Sequence, residues 1–364
     1  MWNLILISVG IVSVLAVVYV LFRIHRFSFI RRLSQSHKFL AWVVSFLPLA
    51  LVGLFALINV FTMMIVLLHL LVAFVLCDIV AFIIRKASKR SFGYNAQNIA
   101  AILLAVVYLG TGWYLAHHVF VTEYTFYTDK DLGGDIRVVE IADSHLGITL
   151  DGEKIAYQME RVQQTHPDVV VIAGDFVDDD TDKQDMIEAC SALGKLETTY
   201  GVFFVFGNHD NGYFRYRNFT SAELRAELTR NGVTILEDES VLIDNRFYIV
   251  GRRDRSMWGR AEASALTQEL DSSKYIILLD HQPNDYANEA NTASDLVLSG
   301  HTHGGHIFPA GLIGLWTGAN DRVYGTETRD GTTFVVTSGI SGWAIPFKTG
   351  TFSEFVVIDV KAAK

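Results

Sequence analysis

The chain has 364 residues, 51% of them hydrophobic, and a net charge of −9. The charge is unevenly divided: residues 1–120 carry nine Lys/Arg and one acid, Asp78, a net +8, which leaves −17 for residues 121–364. That split excludes a single soluble domain and a nucleic-acid-binding protein, and it fits a membrane-spanning region joined to an acidic soluble domain.

Four apolar stretches come first: about Trp2–Phe22, Phe39–Leu57, Val60–Ile84 and Ile99–Phe120. Each is close to the ~20 residues that cross a bilayer as a helix. The uncharged run from Phe39 to Cys77 is too long for one span, so a tight hairpin is expected near Asn59. Pro48 falls inside the second stretch, where a kink is tolerated by neighbouring helices. The first stretch lacks a basic leader and a small-x-small cleavage site, and reads as an anchor. Arg23, Arg26, Arg31, Arg32 and Lys38 follow the first span, and Arg85, Lys86, Lys89 and Arg90 follow the third. Positive loops stay in the cytoplasm, so four spans put both termini and the soluble domain outside. Asp78, within the third stretch, is expected to pair with Arg85 or Lys86. Cys77 and Cys190 lie in different regions and are not expected to form a disulfide. The expected organisation is a transmembrane region over residues 1–120, a short linker over 121–134 and a soluble domain over 135–364.

The soluble part repeats one pattern. A short apolar run rich in β-branched or aromatic residues ends in an oxygen or imidazole side chain. Ile136–Ala142 leads to Asp143 and His145, and Val169–Ala173 leads to Gly174-Asp175. Val202–Phe206 leads to Gly207-Asn208-His209-Asp210, Tyr275–Leu279 to Asp280-His281, and Leu296–Leu298 to Gly300-His301-Thr302-His303. Such runs read as buried strands. Polar groups at the carboxyl ends of strands converge on one edge of an α/β core, where ligands bind. Oxygen and imidazole donors gathered there point to a two-metal hydrolase.

The blocks Asp143-Ser144-His145, Gly174-Asp175-Phe176-Val177-Asp178, Gly207-Asn208-His209-Asp210, His281 and Gly300-His301-Thr302-His303 resemble the calcineurin-like metallophosphoesterase family. Its pattern is D-x-H, G-D-x-x-D, G-N-H-[DE], a lone His and G-H-x-H, here in the same order across roughly residues 125–361. The resemblance implies an α/β/β/α sandwich. It also implies two divalent ions, Mn favoured with Fe or Zn as alternatives. Asp143, His145 and His303 would hold one ion, and Asn208, His281 and His301 the other, with Asp175 bridging. His209 is then the general acid and Asp178 the carboxylate that orients it and raises its proton affinity. The remaining acids after Asp178 (Asp179, Asp180, Asp182) read as a solvated loop, Asp210 as a supporting or turn residue, and His166 as a surface turn residue.

Two features bear on substrate. Asp179 stands where the protein-phosphatase branch has an arginine that grips phosphate, which favours a diester or pyrophosphate over a monoester dianion. Arg252, Arg253 and Arg255 follow a strand end and are candidate phosphate cations. The final motif is similar to the bacterial membrane-associated branch, G-H-T-H-G-G-Q, with His306 in place of Gln. The apolar loop Ile307–Trp316 beside it, and Trp343–Phe347, are candidate lipid contacts. The expected function is hydrolysis of a phosphoester in a lipid head group or other substrate at the membrane surface. The alternatives are pyrophosphate cleavage in a UDP-diacylglucosamine-type lipid, scavenging of soluble diesters, and a non-catalytic membrane receptor.

Overall fold

The computed structural model describes residues 2–89, 93–213 and 217–363, with side chains from Gly10 onward. The chain divides into two compact units, Met1–Gly112 and Trp113–Lys364.

The first unit is helical: α1 (Trp2–His25), α2 (Ser28–Ser36), α3 (Lys38–Gly53), α4 (Val60–Ser88) and most of α5 (Tyr94–His117). Three segments among the described residues are long and apolar enough to cross a membrane, Lys38–Leu57, Val60–Ser88 and Tyr94–His117. A fourth exists if Gly10–His25 and Ser28–Ser36, joined through an 81° bend, count as one span. The basic loop after the first stretch is therefore largely the helix α2, with Ile30 buried and Arg31 and Arg32 exposed. Arg90 lies outside the described residues. The hairpin stands where the sequence puts it. A 3-10 turn (Leu54–Leu57) leads to Asn59, whose side chain accepts the Thr62 amide at 2.7 Å and caps α4.

Asp78 corrects one expectation. Its carboxylate meets Arg23 of α1 at 2.7 Å and accepts the Tyr19 hydroxyl at 2.5 Å, instead of pairing with Arg85 or Lys86. Arg85 is about two turns, or ~10 Å, further along the same helix, whereas α1 packs directly against α4. A cation and an anion that would each be costly in an apolar surround are neutralised by each other.

The second unit contains two six-stranded mixed sheets. Its strands are β1 (Val119–Thr128), β2 (Ile136–Ile141), β3 (Val169–Ala173), β4 (Val202–Val205), β5 (Thr234–Ile235) and β6 (Glu239–Ile243). They continue as β7 (Phe247–Gly251), β8 (Tyr275–Leu279), β9 (Leu296–Ser299), β10 (Gly325–Arg329), β11 (Thr332–Val336) and β12 (Ser353–Ala362). One sheet runs β1-β12-β2-β3-β4-β5, and the other β10-β11-β9-β8-β7-β6. Within them β2, β3 and β4 are mutually parallel, as are β7, β8, β9 and β11.

Burial on both faces explains why these strands read as unbroken apolar runs. Val169 and Val171 of β3 join Ile277 and Leu279 of β8 in the core between the sheets. The alternate residues Val170 and Ile172 face the layer containing α6 (Gly152–Gln163), α7 (Lys183–Gly194) and α8 (Ser221–Arg230). Ile276 and Leu278 face the opposite layer, with α9 (Ala263–Thr267) and α10 (Tyr286–Glu289). The layers are thus helix, sheet, sheet, helix.

The stretch 121–134, expected to be a linker, is in large part a strand. β1 pairs with β12 in parallel from Val119↔Ser353 to Thr128↔Ala362. The alternation in Val-Phe-Val-Thr-Glu-Tyr-Thr-Phe-Tyr-Thr lays every second residue against the sheet, which is how a half-exposed edge strand is written. The apolar segment after His303 is likewise not an irregular loop: Ala310–Trp316 forms a short helix, α11, with none of its residues buried.

Candidate metal centre

The carboxyl ends of β2, β3 and β4 in one sheet and of β8 and β9 in the other carry every metal-ligand and general-acid candidate read from the sequence. The turns that follow are backbone-strained. Asp143, His145, Asp175, His301 and His303 have φ of +54°, +36°, +52°, +69° and +48°. L-residues rarely adopt this region, and where they do the surroundings impose it, commonly at functional sites. The motif glycines are dictated by close approach. A Cβ on Gly207 would lie 2.2 Å from the Asp175 carboxylate, and one on Gly300 2.8 Å from that of Asp143.

Tautomers can be assigned from the outer ring nitrogens. His281 Nδ1 donates to the Ala173 carbonyl at 2.7 Å, so in the neutral ring the lone pair is on Nε2. That nitrogen faces two acceptors, Asp175 Oδ2 at 3.1 Å and Asn208 Oδ1 at 3.2 Å. The Asn208 amide is oriented by donating to the Tyr213 hydroxyl at 2.8 Å. His145 Nδ1 donates to Asp178 at 2.9 Å and His303 Nδ1 to the Ser341 carbonyl at 3.3 Å. With both rings neutral their Nε2 atoms oppose each other, lone pair to lone pair, at 3.2 Å, with Asp175 Oδ2 3.5 Å from that of His145. Asp143 Oδ2 and His301 Nδ1 are buried without a hydrogen-bond partner among the described residues. Acceptors facing acceptors repel unless positive charge sits between them, and this donor set suits a divalent cation.

Two groups, Asp143 with His145 and His303 and Asp175 with His281 and His301, each bring one ligand atom per residue within 4.8 Å of the others. Electrostatics agree. Burial opposes charge on His281, and Asp175 and Asp143 outweigh it and raise its proton affinity well above the ordinary imidazole range. Burial and His281 hold His301 down at about 4, leaving a neutral donor.

His209 lies beside this cluster. Its Nδ1 donates to Asp178 Oδ1 at 2.9 Å, while Asp178 Oδ2 takes the proton of His145 Nδ1. Burial pushes the Asp178 carboxyl up, and the hydrogen bonds from the two imidazoles outweigh that and hold it far below the usual range. Of the acids after it, Asp182 caps α7 and Asp179 accepts the Tyr213 amide. Asp210 is a buried anchor. Its oxygens accept the amides of Asp175 (2.9 Å), Phe176 (2.8 Å), Val177 (3.0 Å) and Gly207 (2.8 Å), tying the β3 and β4 turns together.

Two of the three arginines are engaged by carboxylates. Arg252 is buried among Asp280, Asp285 and Glu289, and Arg253 pairs with Asp238 at 3.7 Å. Trp343 is partly exposed with its ring 5.5 Å from His209, whereas Ile345 and Phe347 are buried and correct the expectation of a second exposed apolar loop. His306 packs 5.3 Å from His303, its Nε2 buried without a hydrogen-bond partner among the described residues. His166 is an exposed turn residue with φ +53°. Two contributors escape a sequence reading. Tyr213 orients Asn208, and Lys348 donates to the carbonyls of Ser338 (2.6 Å) and Gly339 (3.0 Å), clamping the turn that abuts Asp143. Neither lies in a motif.

The model of the calcineurin-like phosphoesterase family matches residues 136–305. An uncharacterized metallophosphoesterase of Helicobacter pylori is 32% identical over 279 residues, spanning 74% of this chain and 72% of that one. One from Aquifex aeolicus is 31% identical over 271 residues, 72% of this chain and 98% of that one. A transmembrane protein with metallophosphoesterase domain from Danio rerio is 28% identical over 246 residues, 63% of this chain and 54% of that one.

Asp210→Ala strands four buried amides and is expected to lower stability by about 3 kcal/mol or more, roughly 6–12 °C in Tm. Asp210→Asn, which keeps one acceptor oxygen, should lose about half of that. Thermal unfolding of the full chain in detergent measures both, and an unchanged Tm for Asp210→Ala would remove the anchor role.

Proposed function

The chain belongs to the calcineurin-like phosphoesterase family and is a metal-dependent phosphoester hydrolase, and on that premise we propose that it is membrane-anchored and cleaves a phosphodiester or related ester in a lipid head group outside the cytoplasm. The observation that carries the catalytic part is the set of opposed lone pairs at 3.1–3.5 Å between His281, Asp175, Asn208, His145 and His303.

Asp143, His145 and His303 would hold one cation, Asn208, His281 and His301 would hold the other, and Asp175 would complete the ligand set. Mn is favoured; Fe and Zn also fit nitrogen and oxygen donors, and the site offers no thiolate. Bound there, two cations neutralise phosphoryl oxygens and lower the pKa of water into the neutral range. The chain's own residues do the rest. His209 keeps Nδ1–H on Asp178 and presents Nε2, the atom that delivers a proton to the leaving oxygen. Asp178 fixes the ring's orientation and tautomer. With no arginine after Asp178 and Arg252 and Arg253 engaged elsewhere, a substrate with two esterified oxygens and less charge to neutralise is favoured over a monoester dianion.

Outward placement follows from the positive loops and is independent of whether α1 crosses. Lys38 and the Arg85–Lys89 segment stay inside, so α3 and α4 form a hairpin and α5 leaves the cytoplasm. The apolar helices and the Danio rerio relative's transmembrane name support anchoring. The exposed apolar segment after His303 supports a lipid substrate.

His209→Ala should keep both metals by elemental analysis and lose roughly 10²–10⁴-fold in rate on alkyl esters, whose leaving oxygen needs a proton. On p-nitrophenyl esters the loss should be much smaller. Equal losses on both would leave His209 a phosphate-binding residue only.

A reporter active only in the cytoplasm, fused after Lys364, should be silent; strong activity would reverse the topology and favour a cytoplasmic UDP-lipid pyrophosphate. Full-length protein in phospholipid vesicles should release head-group phosphoester from the bilayer as well as hydrolyse soluble bis(p-nitrophenyl) phosphate. Turnover of the soluble ester alone would end the lipid reading.

A further inference from the structure

We infer that α11 and the residues flanking it are a bilayer-insertion element of the catalytic unit, whose partner is the acyl region of the membrane that α5 has just crossed. The inference rests on membrane anchoring and is independent of whether the substrate is a lipid.

The segment from Ile307 to Asn320 contains no charged residue, and none of the side chains of α11 is buried. Phe308, Leu312, Ile313, Leu315 and Trp316 are all exposed, Trp316 at 79%. A soluble surface seldom gathers five large apolar side chains within nine residues without something to cover them. The helix is nevertheless held firmly on its other side. Its Gly311 backbone abuts Gly305, so close that a Cβ on Gly311 would lie 2.8 Å from the Gly305 Cα. Thr349 Oγ1 accepts the Phe308 amide at 3.1 Å.

The residues where α5 ends form an aromatic and imidazole cluster. Trp113 stacks on His117 at 4.2 Å, Tyr114 on His118 at 5.0 Å, and His118 meets Phe120 at 4.6 Å. Aromatic rings at the end of an apolar span mark the level of the lipid head groups. That cluster is joined to the segment that carries α11 through residues 349–353. Phe120 packs on Phe352 at 5.2 Å, and Ser353 Oγ donates to the Ala116 carbonyl at 2.9 Å. Two residues before Phe352, Gly350 donates to the His306 carbonyl at 2.9 Å, as does Thr349. The level at which α5 leaves the apolar phase is therefore linked by a few short contacts to the start of the exposed apolar segment. Trp258, exposed at 98%, sits on a different loop with Arg255 and Arg260 nearby in sequence and serves as the comparison position. Because Gly305 follows His303 by two residues, insertion of α11 places the metal centre at the lipid surface.

The test uses the full chain reconstituted in phosphatidylethanolamine–phosphatidylglycerol vesicles, labelled with an environment-sensitive fluorophore at one cysteine. The labelled positions are native Cys77 in a Cys190→Ala chain, and Ile313→Cys, Trp316→Cys or Trp258→Cys in a Cys77→Ser, Cys190→Ala chain. Acyl-brominated lipids should blue-shift nothing further but remove most of the emission at Cys77, at 313 and at 316, and leave 258 unquenched. Quenching at 77 without quenching at 313 and 316 overturns the inference while anchoring stands. A blue-shifted label at 313 that bromines do not reach means protein covers α11, which also overturns it. No quenching at 77 removes the anchor and the inference with it. Quenching at 313 and 316 in a protein that ignores bilayer phospholipid supports the insertion element and rejects only the lipid substrate.

Discussion

Lone pairs do not tolerate one another at hydrogen-bond distance without a proton or cation between them, and in the neutral rings His145 and His303 oppose theirs at 3.2 Å and His281 aims its own at two oxygens. Such an arrangement persists only because each ring is fixed from behind, by Asp178, by the Ser341 carbonyl and by the Ala173 carbonyl respectively. Ala173 ends β3, Asp178 lies in the turn after it and Ser341 lies between β11 and β12, while the rings they fix stand on the turns at the strand ends. Asp210 binds two of these turns through four amides. The double-sheet core fixes the strands themselves, with both faces buried. The site's affinity for positive charge is thus a property of the whole unit, which supplies the rigidity that catalytic preorganisation requires.

Much of this was legible in the sequence because it is periodic or local. Parallel strands buried on both faces show as continuous runs such as Val169–Ala173, and the residues that matter follow them at once. What was not legible depended on long-range geometry. Asp78 has basic residues nearby in its own helix, and only the packing of α1 on α4 reveals Arg23 as its partner. Lys348 and Tyr213 act from loops whose sequences carry no signal, since their roles depend on which carbonyl or amide the fold brings to them. The edge strand β1 was missed for another reason. Its alternation was visible, but its position directly after an apolar span suggested a linker, and its partner β12 is more than two hundred residues away. Arg252 looked available for phosphate because three arginines crowd a strand end; three carboxylates waiting for it lie elsewhere in the chain.

Asp178 illustrates why a single motif residue resists a single label. One of its oxygens orients His145 at the cation site and the other orients His209. An asparagine offers only one acceptor oxygen, so it satisfies one of these rings and leaves the other to find a new tautomer. In the proposed mechanism, metal binding and proton delivery depend on the same pair of atoms.

The left-handed backbone at His301 has an evolutionary meaning. At φ +69° any L-residue is under conformational strain, and this one also buries a ring nitrogen without a partner among the described residues. Glycine at that position relieves both at once: it is at ease in the left-handed region and has no lone pair to desolvate. Selection for fold stability alone therefore pushes this position toward glycine, and only turnover holds the histidine in place. In a lineage released from catalysis, erosion of the metal centre would begin at such residues, and the protein would become more robust as it lost its activity.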